Sequence, residues 1–194
     1  MADIYFINAT YIKEFTFVDE NVDEKYLLVS IKEAQEIHIR EYIGSGLYDE
    51  LVSQIDNNNL TALNTTLLDT YIIPALKWWV IYEAAPFLTF KFTNKNIVTK
   101  NSDNSSTIGA NDLDRLMEFV KHKAQYHTRR LINYLLEYES SYPLYTNPGD
   151  QIDTIFPNLD SFSSAIYLED DNRLYRRDSQ FMNNRNNERY KTRS

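Results

Sequence analysis

Residues 71–88 read YIIPALKWWVIYEAAPFL, the most apolar stretch of the chain. From Ile72 to Tyr82 apolar side chains cover nearly every side of a helical projection. A helix of that kind is central and needs neighbours all round it. Lys77 and Glu83 interrupt the run, and Pro74 and Pro86 fall inside it. A membrane span wants roughly 18 or more uninterrupted apolar residues, so the stretch reads as a buried helix. It is expected to begin near Thr65 or Thr66 and to run to about Phe90, bent where the prolines remove helix hydrogen bonds.

The neighbours lie on either side in sequence. A first helix starts near Asn21-Val22-Asp23-Glu24, where Asn or Asp can accept from orphan N–H groups. Leu27, Ile31, Ala34, His38 and Tyr42 then recur at three- and four-residue steps and share a face. Gly44 stops this helix, and Ser45 can cap a second one whose Leu47, Leu51 and Ile55 face the core. Asp56-Asn57-Asn58-Asn59 marks a turn. A long helix opens at Asn111 or Asp112, with Leu113, Leu116, Val120, Ala124, His127, Leu131, Leu135 and Tyr138 on one stripe. At ~1.5 Å per residue it spans roughly 40 Å before Tyr142-Pro143 ends it.

The other segments are not helical in pattern. Residues 1–20 read as a short arm with Phe15 and Phe17 as anchors. Lys91-Phe92-Thr93 and Ile97-Val98-Thr99 flank Asn94-Lys95-Asn96 and suit a short β-hairpin, within a polar region reaching about residue 109. From 143 onward Pro143, Pro148 and Pro157 keep the chain extended. Ile155-Phe156-Pro157 and Ala165-Ile166-Tyr167-Leu168 are too small to make a core and read as anchors that dock elsewhere. The expected fold is thus mainly α, a small bundle of about four helices with a short β-hairpin. Residues 1–147 form its body and residues 148–194 an extended C-terminal arm.

Composition excludes several kinds of chemistry. The 194 residues include no cysteine, so there is no disulfide, thiol nucleophile or thiolate metal site. Glycine occurs 4 times, too few for phosphate-cradling loops or a turn-rich sandwich. The opening MADIYFINATYIKEF has no basic region followed by an apolar one and does not read as a signal peptide. Net charge is −8, which argues against a body that grips DNA phosphates. Residues 169–194 carry seven basic and five acidic side chains, a surplus of two positive charges on an otherwise acidic chain.

No catalytic motif is found, and the chain reads as a non-enzyme with no cofactor and no metal. His122 and His127 are five apart and point about 140° from each other at 100° per residue, so they cannot share a ligand face. Glu118 and His122 are four apart, which suits an ion pair as well as a metal-dependent hydrolase. His38 and His127 lie on apolar stripes, where a partly buried imidazole bonded to a neighbour is the simpler reading.

The Arg-bearing segment is more informative. Arg173, Arg176, Arg177, Arg185, Arg189, Lys191 and Arg193 alternate with Tyr175, Phe181 and Tyr190. Such a mixture can contact nucleic acid, solubilise the chain, or fold against a partner through aromatic anchors and Arg–carboxylate pairs. Partner docking leads, because the segment is near-balanced in charge and follows extended apolar anchors. Its candidate binding residues are Ile155, Phe156, Ile166, Tyr167, Leu168, Arg173, Tyr175, Arg176, Arg177, Phe181 and Arg185.

Several strings carry a resemblance: Tyr11-Ile12-Lys13-Glu14, Asn21-Val22-Asp23-Glu24-Lys25-Tyr26-Leu27, Ile31-Lys32-Glu33-Ala34-Gln35 and Ile43-Gly44-Ser45-Gly46-Leu47-Tyr48. Tyr71-Ile72-Ile73-Pro74-Ala75-Leu76, Asn94-Lys95-Asn96-Ile97-Val98, Arg129-Arg130-Leu131-Ile132-Asn133-Tyr134-Leu135 and Tyr142-Pro143 continue it. In this order, over roughly residues 8–147, the chain resembles head-to-tail connector proteins of tailed bacteriophages, closest to the ring proteins of crAss-like phages. Asn96 stands where that family usually has Gly, and Asn tolerates the turn conformation. The resemblance implies a structural virion protein, a portal-binding adaptor of the head–tail connector, made in the host cytoplasm. Its implied partners are the portal protein, neighbouring copies in a ring of about twelve, and tail or further ring proteins. Genomic DNA would pass through on ejection without sequence-specific binding, and no membrane is involved. The alternative is a nucleic-acid-binding helical module acting through the Arg-rich tail.

Overall fold

A computed structural model describes residues 4–92, 97–99, 110–150 and 152–160. The chain is mainly helical. Helix α1 (Ala9–Phe15) is capped by Asn8, whose Oδ1 accepts from the Tyr11 N–H at 2.7 Å. Helix α2 (Glu24–Ala34) is capped by Asp23, which accepts from the Lys25 N–H at 3.0 Å. It runs through a π-helical turn, Gln35–Ile39, into α3 (Arg40–Asp56). Helix α4 (Ala62–Leu67) is capped by Thr61 and passes through a second π turn, Leu68–Ile72, into α5 (Ile73–Thr89). The long helix α6 covers Ala110–Glu137, and a 3₁₀ turn (Glu139–Ser141) leads to the short α7 (Pro143–Thr146).

Strands β1 (Phe90–Phe92) and β2 (Ile97–Thr99) pair antiparallel, with Phe90 opposite Thr99 and Phe92 opposite Ile97. This short ladder is all of the expected hairpin that can be described. Its turn residues Asn94, Lys95 and Asn96, and residues 100–109, lie outside the described residues.

Helix α5 is central, packed chiefly against α2 and α6. Its buried side chains Ala75, Leu76, Trp79, Val80, Ala84 and Ala85 point in several directions, which is why the stretch is apolar nearly all round. The prolines act differently from a simple bend. Pro74 is the second residue of α5, directly after the second π turn, so its missing N–H falls where the helix ladder is already widened. The irregularity falls just before it: the Ile73 N–H reaches back five residues to the Leu68 carbonyl. Pro86 stays inside α5.

Some expectations are corrected. The helix leading into the core begins at Ala62 rather than Thr65 or Thr66, because Thr61 supplies the cap. The N-terminal anchors are Phe6, Ile7, Ala9 and Ile12, all buried; Phe15 and Phe17 are 53% and 85% exposed. Gln35, itself buried, ties this segment down by accepting from the Phe6 N–H at 2.9 Å and donating to the Ile4 carbonyl at 3.0 Å. On α6, Leu113, Val120, Ala124, Leu131 and Leu135 are buried, but Leu116 is not; Tyr138, also exposed, lies just past the end of α6. The stripe drifts because the helix rotates 100° per residue while its groove is set by α5.

One compact unit spans Met1–Phe162, and a second, Ser163–Ser194, lies outside the described residues. The first unit therefore takes in residues 148–160, the beginning of the expected arm.

Candidate partner-docking site

The arm begins as a strap that repairs a break in a helix. Within α3, Gly44 has φ +77° and ψ 157°, a conformation essentially confined to glycine. In an unbroken helix the Ser45 N–H would bond to the Glu41 carbonyl four residues back. The break orphans both groups, and the strap satisfies both. The Ser45 N–H donates to the Ile155 carbonyl at 3.0 Å, and the Glu41 carbonyl accepts from the Asn158 N–H at 2.9 Å. Two side-chain bonds reinforce them. The Ile155 N–H donates to Ser45 Oγ at 3.1 Å, and Asn158 Nδ2 donates to Glu41 Oε1 at 2.9 Å. Ser45 thus holds the strap instead of capping the next helical stretch.

The fit depends on absent side chains. A Cβ on Gly44 would lie 2.9 Å from both Cδ and Cγ of Pro157. A Cβ on Gly46 would lie 2.6 Å from Pro148 Cα. Real Cβ atoms do not come so close, so Gly44 and Gly46 are what lets the strap lie against α3.

Two of the sequence-predicted binding residues are in this strap. Ile155 is half-buried and held through its backbone, whereas Phe156 is 63% exposed. Ile152 and Leu159 are exposed as well. Hence the Ile155 backbone and the Pro157 ring lie against the chain's own α3, while the Phe156 side chain is turned to the surface. Ile166, Tyr167, Leu168, Arg173, Tyr175, Arg176, Arg177, Phe181 and Arg185 lie outside the described residues. The residues missed were Glu41, Ser45 and Asn158. The available clue was Gly44 and Gly46, two of only 4 glycines, flanking one serine.

Beside the strap, burial pushes the Tyr42 phenol up to about 12, helped by the negative charges of Glu41 and Asp160. Burial raises the Tyr48 and Tyr142 phenols in the same direction. An unfolded tyrosine titrates near ~10. Between that value and about 12 the unfolded chain loses the Tyr42 proton while the folded chain keeps it. Stability is therefore full below pH ~10 and falls as pH rises through this window. A pH series of urea melts should show that fall, with tyrosinate absorbance rising in step with loss of helical circular dichroism. Tyrosinate appearing fully before any helix is lost would contradict it.

His38 is held by packing. His38 stacks on Trp79 with centroids 3.8 Å apart, and its Nε2 lies 2.7 Å from Glu83 Oε1. Trp79 Nε1–H donates to Thr128 Oγ1 at 3.0 Å, so one aromatic group links α5, α6 and the first π turn. His122 and Glu118 are 4.0 Å apart and both well exposed. Among the described residues, no three His, Asp or Glu side chains converge as metal ligands, and no helix is long and apolar enough to cross a membrane.

The geometry defines a class: a helical body whose broken α3 is completed by a strap from near its C-terminal side. A family described only as a family of unknown function, DUF6712, matches residues 39–155, and the chain belongs to it. The matched span opens at the end of the first π turn and closes on Ile155, so it contains both sides of the Ser45–Ile155 contact. No curated protein and no solved structure matches the chain.

Proposed function

We propose that this chain is a structural subunit of the head–tail connector of a tailed bacteriophage, an adaptor that docks on the portal. It would stand as one of a ring of about twelve copies, around a channel that DNA traverses. The observation that carries the reading is the strap. The chain is pinned to the body at Ser45 and Glu41, and 36 residues rich in Arg and aromatics follow Asn158. A fixed root sets where such an arm can reach and raises its local concentration at a partner. The acidic body supports the same reading, since a wall of negative charge does not grip passing phosphates. In this reading Phe156 and the Arg173–Arg185 stretch meet the portal, while Ile155 and Pro157 hold the root.

Electron microscopy of the full chain mixed with the portal protein encoded beside it tests this. An additional symmetric ring on the portal is expected, and removing residues 163–194, which leaves the strap root intact, should weaken binding at least tenfold. A bare portal would refute the reading. Steeply salt-dependent DNA binding that is lost on replacing Arg173, Arg176 and Arg177 would favour the nucleic-acid-binding module instead.

A further inference from the structure

A second surface stands apart from the strap. Trp78, on α5, is half-buried at its centre. The Lys123 ammonium lies 4.6 Å from the centre of the Trp78 ring system and 4.9 Å from the Phe119 ring centroid. Lys77 lies 5.8 Å from the same Trp78 ring, and the Phe17 ring centroid is 6.2 Å away. Phe17 and Phe119 are 85% and 57% exposed, and with Trp78 between them they form one apolar patch rather than scattered single residues. Leu116 and Tyr126 extend the exposed face along α6.

The charge around this cluster is divided. Residues 119–136 contain four Lys or Arg, two His and no acid, in a chain of net charge −8. The cations gather: His127 is held below its usual range by burial and then by Lys77, Arg130 and Lys123. Residues 14–24 are the reverse, with Glu14, Asp19, Glu20, Asp23 and Glu24, all exposed, and no base. This acidic run reaches the cluster through Phe17; the cationic helix reaches it through Lys123. Glu24 faces Lys13 at 3.9 Å. Among the described residues, the other four acids and Lys77, Lys123 and Arg130 make no ion pair.

We infer that this face pairs with the same face of a second copy of the chain. An aromatic centre with an acidic edge and a basic edge is self-complementary: turned through half a revolution, each edge meets its opposite. The aromatic rings supply buried area at the middle, and the charges set register and orientation. Nucleic acid fits less well, because the acidic run beside Phe17 would repel phosphates. The pairing needs no portal and does not depend on the connector reading.

Charge exchange tests it on the full chain. The double substitution Lys77→Glu with Lys123→Glu reverses the two charges beside Trp78 on the basic edge; Asp19→Lys with Glu20→Lys reverses the two that follow Phe17 on the acidic edge. Sedimentation equilibrium should find the unaltered chain dimerising, and each variant alone associating at least tenfold more weakly. A one-to-one mixture of the two variants should dimerise again, since both contacts then join opposite charges. Phe17→Ser, at the most exposed ring, should weaken the unaltered dimer without touching either charge set. Circular dichroism checks that each variant is folded. A chain that stays monomeric up to millimolar concentration overturns the inference, and so does a mixture no tighter than its components. Loss of nucleic-acid binding in the acidic variant, with self-association unchanged, would assign the face to nucleic acid and also overturn it.

Discussion

Trp79→Ala is expected to destabilise the fold by about 3–5 kcal/mol, the range for removing a large buried aromatic side chain. Trp79 is 3% exposed and is the piece through which three elements touch. Its ring stacks on His38 at 3.8 Å and meets the Tyr82 edge at 5.7 Å, and its Nε1–H satisfies the fully buried Thr128 at 3.0 Å. Truncation opens a void between α5 and α6 and takes the donor from the Thr128 hydroxyl. Trp79→Phe restores a ring but not the donor, so it should lose less, with roughly 1 kcal/mol of its effect due to the missing hydrogen bond. Urea unfolding followed by the fluorescence of the remaining tryptophan, Trp78, measures both. An alanine variant within about 1 kcal/mol of the parent would mean that Trp79 is not the link described, since surface-like changes stay near that size.

Gly44→Ala should cost about 1–3 kcal/mol in backbone strain alone, because an L-residue is forced to φ +77°. It also drives a Cβ to 2.9 Å from Pro157, so the strap must shift or leave. Gly46→Ala separates the two effects. Gly46 has no positive φ, and its cost comes from a Cβ 2.6 Å from Pro148. Hydrogen exchange is the sharper readout. In both variants the Ser45, Ile155 and Asn158 amides should exchange faster, while amides in the middle of α5 and α6 keep their protection. Unchanged exchange at those three amides would show that the strap does not depend on the glycines. The same variants bear on the connector proposal, since an arm freed at its root loses the positional advantage argued above.

Much of the body could be read residue by residue. The π turns could not, because a helix that takes in one extra residue keeps nearly the same apolar spacing on either side. The widening of Gln35–Ile39 and Leu68–Ile72 shows only in five-residue backbone bonds, from the Arg40 N–H to the Gln35 carbonyl and from the Ile73 N–H to the Leu68 carbonyl. The N-terminal anchors were misjudged for a similar reason. Phe15 and Phe17 are larger than Ala9 and Ile12, but size does not say which way a short helix turns. In the fold α1 turns Ala9 and Ile12 inward, Phe15 at its end is exposed, and Phe17 stands two residues beyond it, also exposed.

The strap shows the same division. Glycine's freedom at φ > 0 makes Gly44 a helix stop wherever it stands, so that reading needed nothing beyond the sequence. The orphaned Glu41 carbonyl and Ser45 N–H also follow from the stop. Their partners did not, because Ile155 and Asn158 are more than a hundred residues away along the chain. A backbone hydrogen bond carries no residue code, so nothing in either segment names the other. By itself the sequence determined the helical class, the central α5 and the break at Gly44, all of which rest on local conformation and periodicity. The docking of residues 148–158, the widened turns and the gathering of acid and base about Trp78 were decided only when the chain closed on itself. Those features are made of long-range contacts, whose energies belong to pairs of residues rather than to any one stretch.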